Sequence, residues 1–166
     1  MRQGPEDLPA NAGLLVAVIL ASIVPDALLL AILPVPFQGS GAGLIAVGIV
    51  ATLLWFGLVL RVAGRSERFL QTLTAVFGFQ LVMAPALVFS GWFLATYSQD
   101  PTWQFPAAMV RLVVEVWALV VLARIMRSAT EWPMFACVML SIANELLALL
   151  LITSLFPQSS LPAGPV

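Results

Sequence analysis

The feature that most limits what this chain can become is a succession of apolar stretches, each about long enough to cross a bilayer and each separated from the next by a short polar turn. Crossing roughly 30 Å of hydrocarbon takes about 20 apolar residues in a helix. Residues 11–33 form the first stretch, with Asp26 as their one charge, and Pro34, Pro36, Gly39, Ser40 and Gly41 read as the turn after it. The second stretch covers 42–60 and ends at the polar break Arg61-Val-Ala-Gly-Arg65-Ser-Glu-Arg68. A third covers 69–95, followed by a polar connection over 96–106 that holds Asp100, Pro101 and Trp103. The fourth, 107–123, is short and contains Arg111 and Glu115; a polar turn is expected over 124–131. The fifth runs over 132–156.

The fold this predicts is all-α, a polytopic transmembrane bundle of about five spans forming one domain over residues 11–156. Residues 1–10 are expected as a short cytoplasmic leader and 157–166, rich in Pro, Ser and Gly, as a flexible tail. Composition supports the membrane reading. Hydrophobic residues make up 61% of the chain and charged residues 9%, against roughly 25% charged in soluble domains. So few charges could not cover a water-exposed surface. Strict apolar/polar alternation is absent, which argues against a β-barrel, and no internal repeat of the transporter type is visible. The first stretch does not read as a signal peptide, since Glu6 and Asp7 stand beside a single Arg2 and no clean cleavage site follows.

Arginine placement sets the expected orientation. With the N-terminus in the cytoplasm and the C-terminus outside, Arg2, Arg61, Arg65, Arg68, Arg124 and Arg127 all lie inside, while Asp100 lies outside. Arg61, Arg65, Arg68, Arg124 and Arg127 are then cytoplasmic anchors, and their topological role outweighs a lipid-patch reading of the Arg61–Arg68 loop, which Glu67 dilutes. Trp55, Trp92, Trp103 and Trp132 fall near expected span ends, where the interface favours their rings; Trp117 does not, and is expected to pack between helices.

Four ionisable residues fall inside spans: Asp26, Arg111, Glu115 and Glu145. Each costs roughly 2.5 to 3.5 kcal/mol if it faces lipid. Counted from the cytoplasmic ends, Asp26 stands ~21 Å up, Arg111 and Glu145 ~19 Å, and Glu115 ~13 Å. The expectation is a buried polar cluster centred on Arg111, whose guanidinium fork can hold two carboxylates, with Gln80 and Asn144 as neutral partners. Such a cluster is foremost a clasp fixing helix packing. Because one cation cannot balance three carboxylates, it could instead be a proton or ion site. Pro25 and Pro85 lie within spans and are expected to kink their helices. Gly39, Gly41, Gly43 and Gly48 suggest close helix approach at the start of the second span.

Other chemistry lacks its residues. The chain has no His, no Lys and one Cys, Cys137, which reads as a small packing residue. No metal site or cofactor is therefore expected, and no phosphate-binding loop, nucleophile elbow or nucleic-acid-binding basic run is written in the sequence. Arginine without lysine fits a GC-rich bacterial genome, hence an inner-membrane location.

Two segments carry a family resemblance. Arg68-Phe-Leu-Gln-Thr-Leu-Thr-Ala-Val-Phe-Gly78 leads to Pro85, and Trp117-Ala-Leu-Val-Val-Leu-Ala-Arg124-Ile-Met-Arg127-Ser128 ends in a basic exit. Over roughly Arg65 to Phe156 this pattern resembles the Yip1-type membrane domain. The resemblance implies five spans, a cytoplasmic N-terminus and an interaction or membrane-organising role, and it names no catalytic residue. Only Gly4-Pro5-Glu6-Asp7-Leu8-Pro9 precedes the first span, where eukaryotic members carry a long hydrophilic region. Trafficking roles and small-GTPase partners are therefore not carried over.

The reading is a non-enzymatic scaffold or membrane-organising protein whose partners are the lipid bilayer and other membrane proteins or further copies of itself. The rival reading is a small-solute, ion or proton transporter using the Asp26, Arg111, Glu115 and Glu145 group. Orientation is tested directly by impermeant thiol labelling of intact cells in a Cys137→Ala background. Thr102→Cys should label from outside and Ser66→Cys only after lysis; the reverse pattern overturns the arginine-inside assignment.

Overall fold

Backbone polar groups in hydrocarbon find no water, so an apolar chain must satisfy them within helices. The computed structural model describes residues 11–32 and 40–156, and there the chain does this five times. The helices are α1 (Ala12–Ile32), α2 (Gly41–Val62), α3 (Phe69–Tyr97), α4 (Gln104–Thr130) and α5 (Met134–Leu155), with a single 3-10 turn at Ser66–Arg68 before α3. Each is long and apolar enough to cross a membrane, and no strand occurs among the described residues. The expected leader with Arg2, the turn from Pro34 to Gly39 and the tail from Pro157 lie outside the described residues.

One boundary departs from expectation. The polar turn expected over 124–131 is helical as far as Thr130. Charge marked where the hydrocarbon ends, not where the helix ends. No Gly or Pro interrupts the sequence before Pro133, and Leu122, Met126 and Ala129 keep an apolar face buried beyond Arg124. The helix stops at Glu131, whose φ of 63° is left-handed, with Pro133 close behind.

Packed neighbours run α1, α3, α4, α5, α2 and back to α1, a ring in which α1 lies far more on α3 than on α2. Its core gathers at one end. Leu15 begins α1, Phe56 and Val59 end α2, Leu73, Val76 and Phe77 begin α3, Leu122, Ala123 and Met126 end α4, and Cys137 begins α5. This is also the end that carries Arg61, Arg65, Arg68, Arg124 and Arg127. Small and hydroxylated residues allow the helices to approach: Ala107, Ala123, Ala129, Ser90 and Cys137 are fully buried. Gly43 fits against Phe156 at the end of α5, where an added Cβ would come within 3.1 Å of the ring. Gly41 similarly faces Leu30 of α1. Gly48 has open space instead, and Gly39 lies outside the described residues.

Trp55 and Trp132 pack against the arginine-end core. One tryptophan corrects the sequence reading. Trp117 does not pack between helices; it is 59% exposed on the outside of α4. Trp92 and Trp103 are exposed near the opposite end, as an interfacial role requires. Pro25 and Pro85 both sit inside uninterrupted α-helices.

The arginine end is locked by two helix terminations. At the end of α2 the Gly64 N–H donates to the Arg61 carbonyl at 3.2 Å and the Arg65 N–H to the Leu60 carbonyl at 2.9 Å. With Gly64 at φ 70° this is a Schellman motif. At the end of α4, Arg68 Nη1 reaches across to donate to the carbonyls of Ser128 at 3.0 Å and Ala129 at 3.4 Å. Glu131 receives Arg65 at 2.7 Å and Arg68 at 3.1 Å. The α2–α3 turn is thus tied to the end of α4. Because a Cβ disfavours the left-handed conformation by about 1–2 kcal/mol, Gly64→Ala should lower stability by that amount in detergent unfolding titrations. An unchanged midpoint would show that the turn does not require the left-handed residue.

Candidate functional site

Arg111 and Glu115 lie four residues apart and therefore on one face of α4. Each guanidinium proton needs an acceptor, and hydrocarbon supplies none. Three acceptors meet it. Arg111 Nη2 pairs with Glu115 Oε1, and Nη1 donates to the Leu87 carbonyl at 3.2 Å and to Ser90 Oγ at 3.3 Å on α3. Ser90 and Gly91 are small and buried, as is Ala107 one turn from Arg111, so α3 and α4 come close enough for a backbone carbonyl to be reached. Ser90 was not among the residues singled out from sequence. A hydroxyl in an apolar helix is too common a signal without knowing which helix faces it.

The expected four-residue cluster is only partly assembled. Glu145 on α5 is close enough to Glu115 for the two carboxylates to interact electrostatically, and Asn144 lies beside Glu145. Asp26 is not brought to Arg111. It continues the α1 stripe of Leu15, Ile19 and Ser22, but α3 stands between α1 and α4, and Asp26 makes no ion pair among the described residues. Equal depth along different helices did not make them neighbours. Gln80 is half-buried on α3 and forms no hydrogen bond to the group among the described residues. Asn144 is buried with its Oδ1 unpaired among the described residues.

The larger departure concerns burial. Glu115 is 48% exposed and Glu145 is exposed as well. The reason lies in the seam between α4 and α5. At the arginine end it is closed: Ala123 is fully buried, and Thr130 Oγ1 lies 3.8 Å from Cys137 Sγ. Cys137 in turn donates to the Trp132 carbonyl at 3.8 Å, which ties down the turn between the helices. Eleven residues before Ala123 and on the same helical face, Leu112 is 52% exposed. On α5, Ser141 is buried, yet Glu145 one turn further is exposed. Exposure on both helices therefore rises with distance from the arginine end, and Glu115 and Glu145 lie in the exposed part.

This arrangement belongs to an integral, multi-pass α-helical membrane protein with two exposed carboxylates, Glu115 and Glu145, on adjacent apolar helices. Comparison with family models, with characterised proteins and with solved structures finds no match. Among the described residues no group of three or more His, Cys, Asp or Glu converges in a way that could hold a metal ion.

Removing the cation strands a carboxylate in the membrane, whereas removing both partners does not. Arg111→Leu should therefore destabilise the protein by about 1–3 kcal/mol in SDS unfolding titrations, Arg111→Lys by less, and Arg111→Leu with Glu115→Leu should recover most of the loss. Wild-type stability in both single variants would rule out a clasp at this position.

Proposed function

We propose that the protein is a non-enzymatic interaction or membrane-organising component that binds another membrane protein, or a second copy of itself, through the α4–α5 seam. The observation that carries this reading is the exposure of Glu115 and Glu145 within two apolar helices. Lipid tails cannot satisfy a carboxylate. A neighbouring transmembrane helix bearing hydroxyl, amide or basic side chains can. Leu112, Leu146 and Leu149 are exposed on the same two helices and supply apolar surface for such a helix. The arginine-in orientation, with the N-terminus cytoplasmic, and a bacterial inner-membrane setting belong to the same proposal, as does an architecture of the Yip1-type kind.

Exposed carboxylates within a membrane also suit a proton or ion pathway, the second reading. The two separate in reconstituted vesicles. Proton or solute flux abolished by Glu145→Gln would establish transport. The scaffold reading expects no flux, and it expects Leu149→Cys in a Cys137→Ala background to crosslink to a neighbouring membrane protein or second copy in native membranes. Glu115→Gln together with Glu145→Gln should reduce that crosslink severalfold. Failure of any crosslink from both Leu146→Cys and Leu149→Cys removes the seam as an interaction surface.

A further inference from the structure

The outside of α4 carries a second arrangement, on a face turned about 100° from the Leu112 and Ala123 face. Val113, Trp117, Val120, Arg124 and Arg127 recur at spacings that place them on one face of the helix. Val113 and Trp117 are 63% and 59% exposed, Val120 is half-buried, and both arginines are exposed. An apolar strip thus runs directly into two guanidinium groups.

Helix length fixes where those groups stand. α4 spans Gln104–Thr130, ~40 Å at the α-helical rise, while the hydrocarbon layer is ~30 Å. Exposed Trp103, just before the helix, marks the interface at the opposite end. Measured from there, Arg124 falls ~30 Å away, at the far hydrocarbon boundary, and Arg127 one turn beyond, among the headgroups.

Neither arginine is consumed by another described residue. Glu131 is the nearby acid, and it already receives Arg65 and Arg68. Arg124 and Arg127 form no ion pair or hydrogen bond with other described residues. Together with Ser128 and Glu131 they line an open recess of about 420 Å³. The Ser128 hydroxyl is committed to the Ile125 carbonyl at 2.9 Å, so the free donors facing the recess are the two guanidinium groups. A fork of this kind matches phosphate oxygens.

We infer that this face of α4 is a binding site for one anionic phospholipid, its phosphate held by Arg124 and Arg127 and an acyl chain lying along Trp117 and Val113. The inference rests on the membrane-spanning reading but not on the seam: a lipid site stands or falls independently of any protein partner.

The test uses the full chain in detergent micelles. Phosphatidylglycerol and phosphatidylcholine of identical chains are titrated, and bound lipid is counted by native mass spectrometry. Phosphatidylglycerol should bind more tightly, and Arg124→Gln and Arg127→Gln should each weaken it about fivefold. Trp117→Ala should weaken both lipids alike. Arg61→Gln is the control, because Arg61 is exposed at the same end of the bundle but does not line the recess; it should change binding less than twofold. Equal losses from Arg61→Gln and Arg124→Gln would mean diffuse surface charge and overturn the site. So would equal affinity for the two lipids. Glycerol phosphate at millimolar concentration should not compete; competition would assign the recess to soluble phosphate compounds. The crosslink from Leu149→Cys reports on the seam separately, so loss of one result leaves the other interpretable.

Discussion

Glu131 is the joint on which this bundle turns. Its left-handed backbone ends α4, and its carboxylate gathers Arg65 and Arg68 from the turn between α2 and α3. Arg68 also supplies donors to carbonyls that the end of α4 would otherwise leave bare. The pairs are partly exposed, so each contributes modestly on its own. Their value is geometric: they hold the ends of three helices in register. Directly behind them sits the cluster of Phe56, Leu73, Val76, Met126 and Cys137. A polar clamp and a packed core thus occupy the same end of the molecule.

The opposite half is built differently. Away from that end α4 and α5 leave Leu112, Glu115, Glu145 and Leu149 exposed. The polar groups within the membrane are divided by this geometry. Arg111 is anchored to α3, whose Leu87 carbonyl and Ser90 hydroxyl both accept from its Nη1. Glu115 spans both environments, paired on one side and exposed on the other. A looser α1–α2 contact leaves an apolar recess of about 390 Å³ bordered by Ala27, Leu30, Ala42 and Ile45.

Span number and position were legible in the sequence because hydrocarbon thickness and helical rise leave little freedom. The Arg111–Glu115 pair was legible too, since an i,i+4 spacing fixes two residues on one face. What crossed between helices was not. Depth placed Asp26 beside Arg111, but depth is one coordinate and the ring order supplies another, and α3 intervenes. Trp117 shows the same limit: an aromatic in the middle of an apolar stretch has no marker for whether it faces protein or lipid. The extension of α4 past Arg124 was hidden because charge signals the membrane boundary while helix termination is signalled by Glu131 and Pro133.

The order of the ring also bears on synthesis. α1 finds its main neighbour in α3, not in α2, so the α1–α2 hairpin is not a finished unit. α2 has to wait for its principal partner, because α5, three helices later in the chain, packs between it and α4. Folding during translation proceeds from the N-terminus, yet here α2 gains its closing contacts from α5. The fit of Phe156 against Gly43 marks that final docking, when the end of the described chain returns to the start of α2. A nascent chain stalled before α5 emerges would leave one flank of α2 bare in the bilayer, a surface suited to recognition by membrane quality-control machinery.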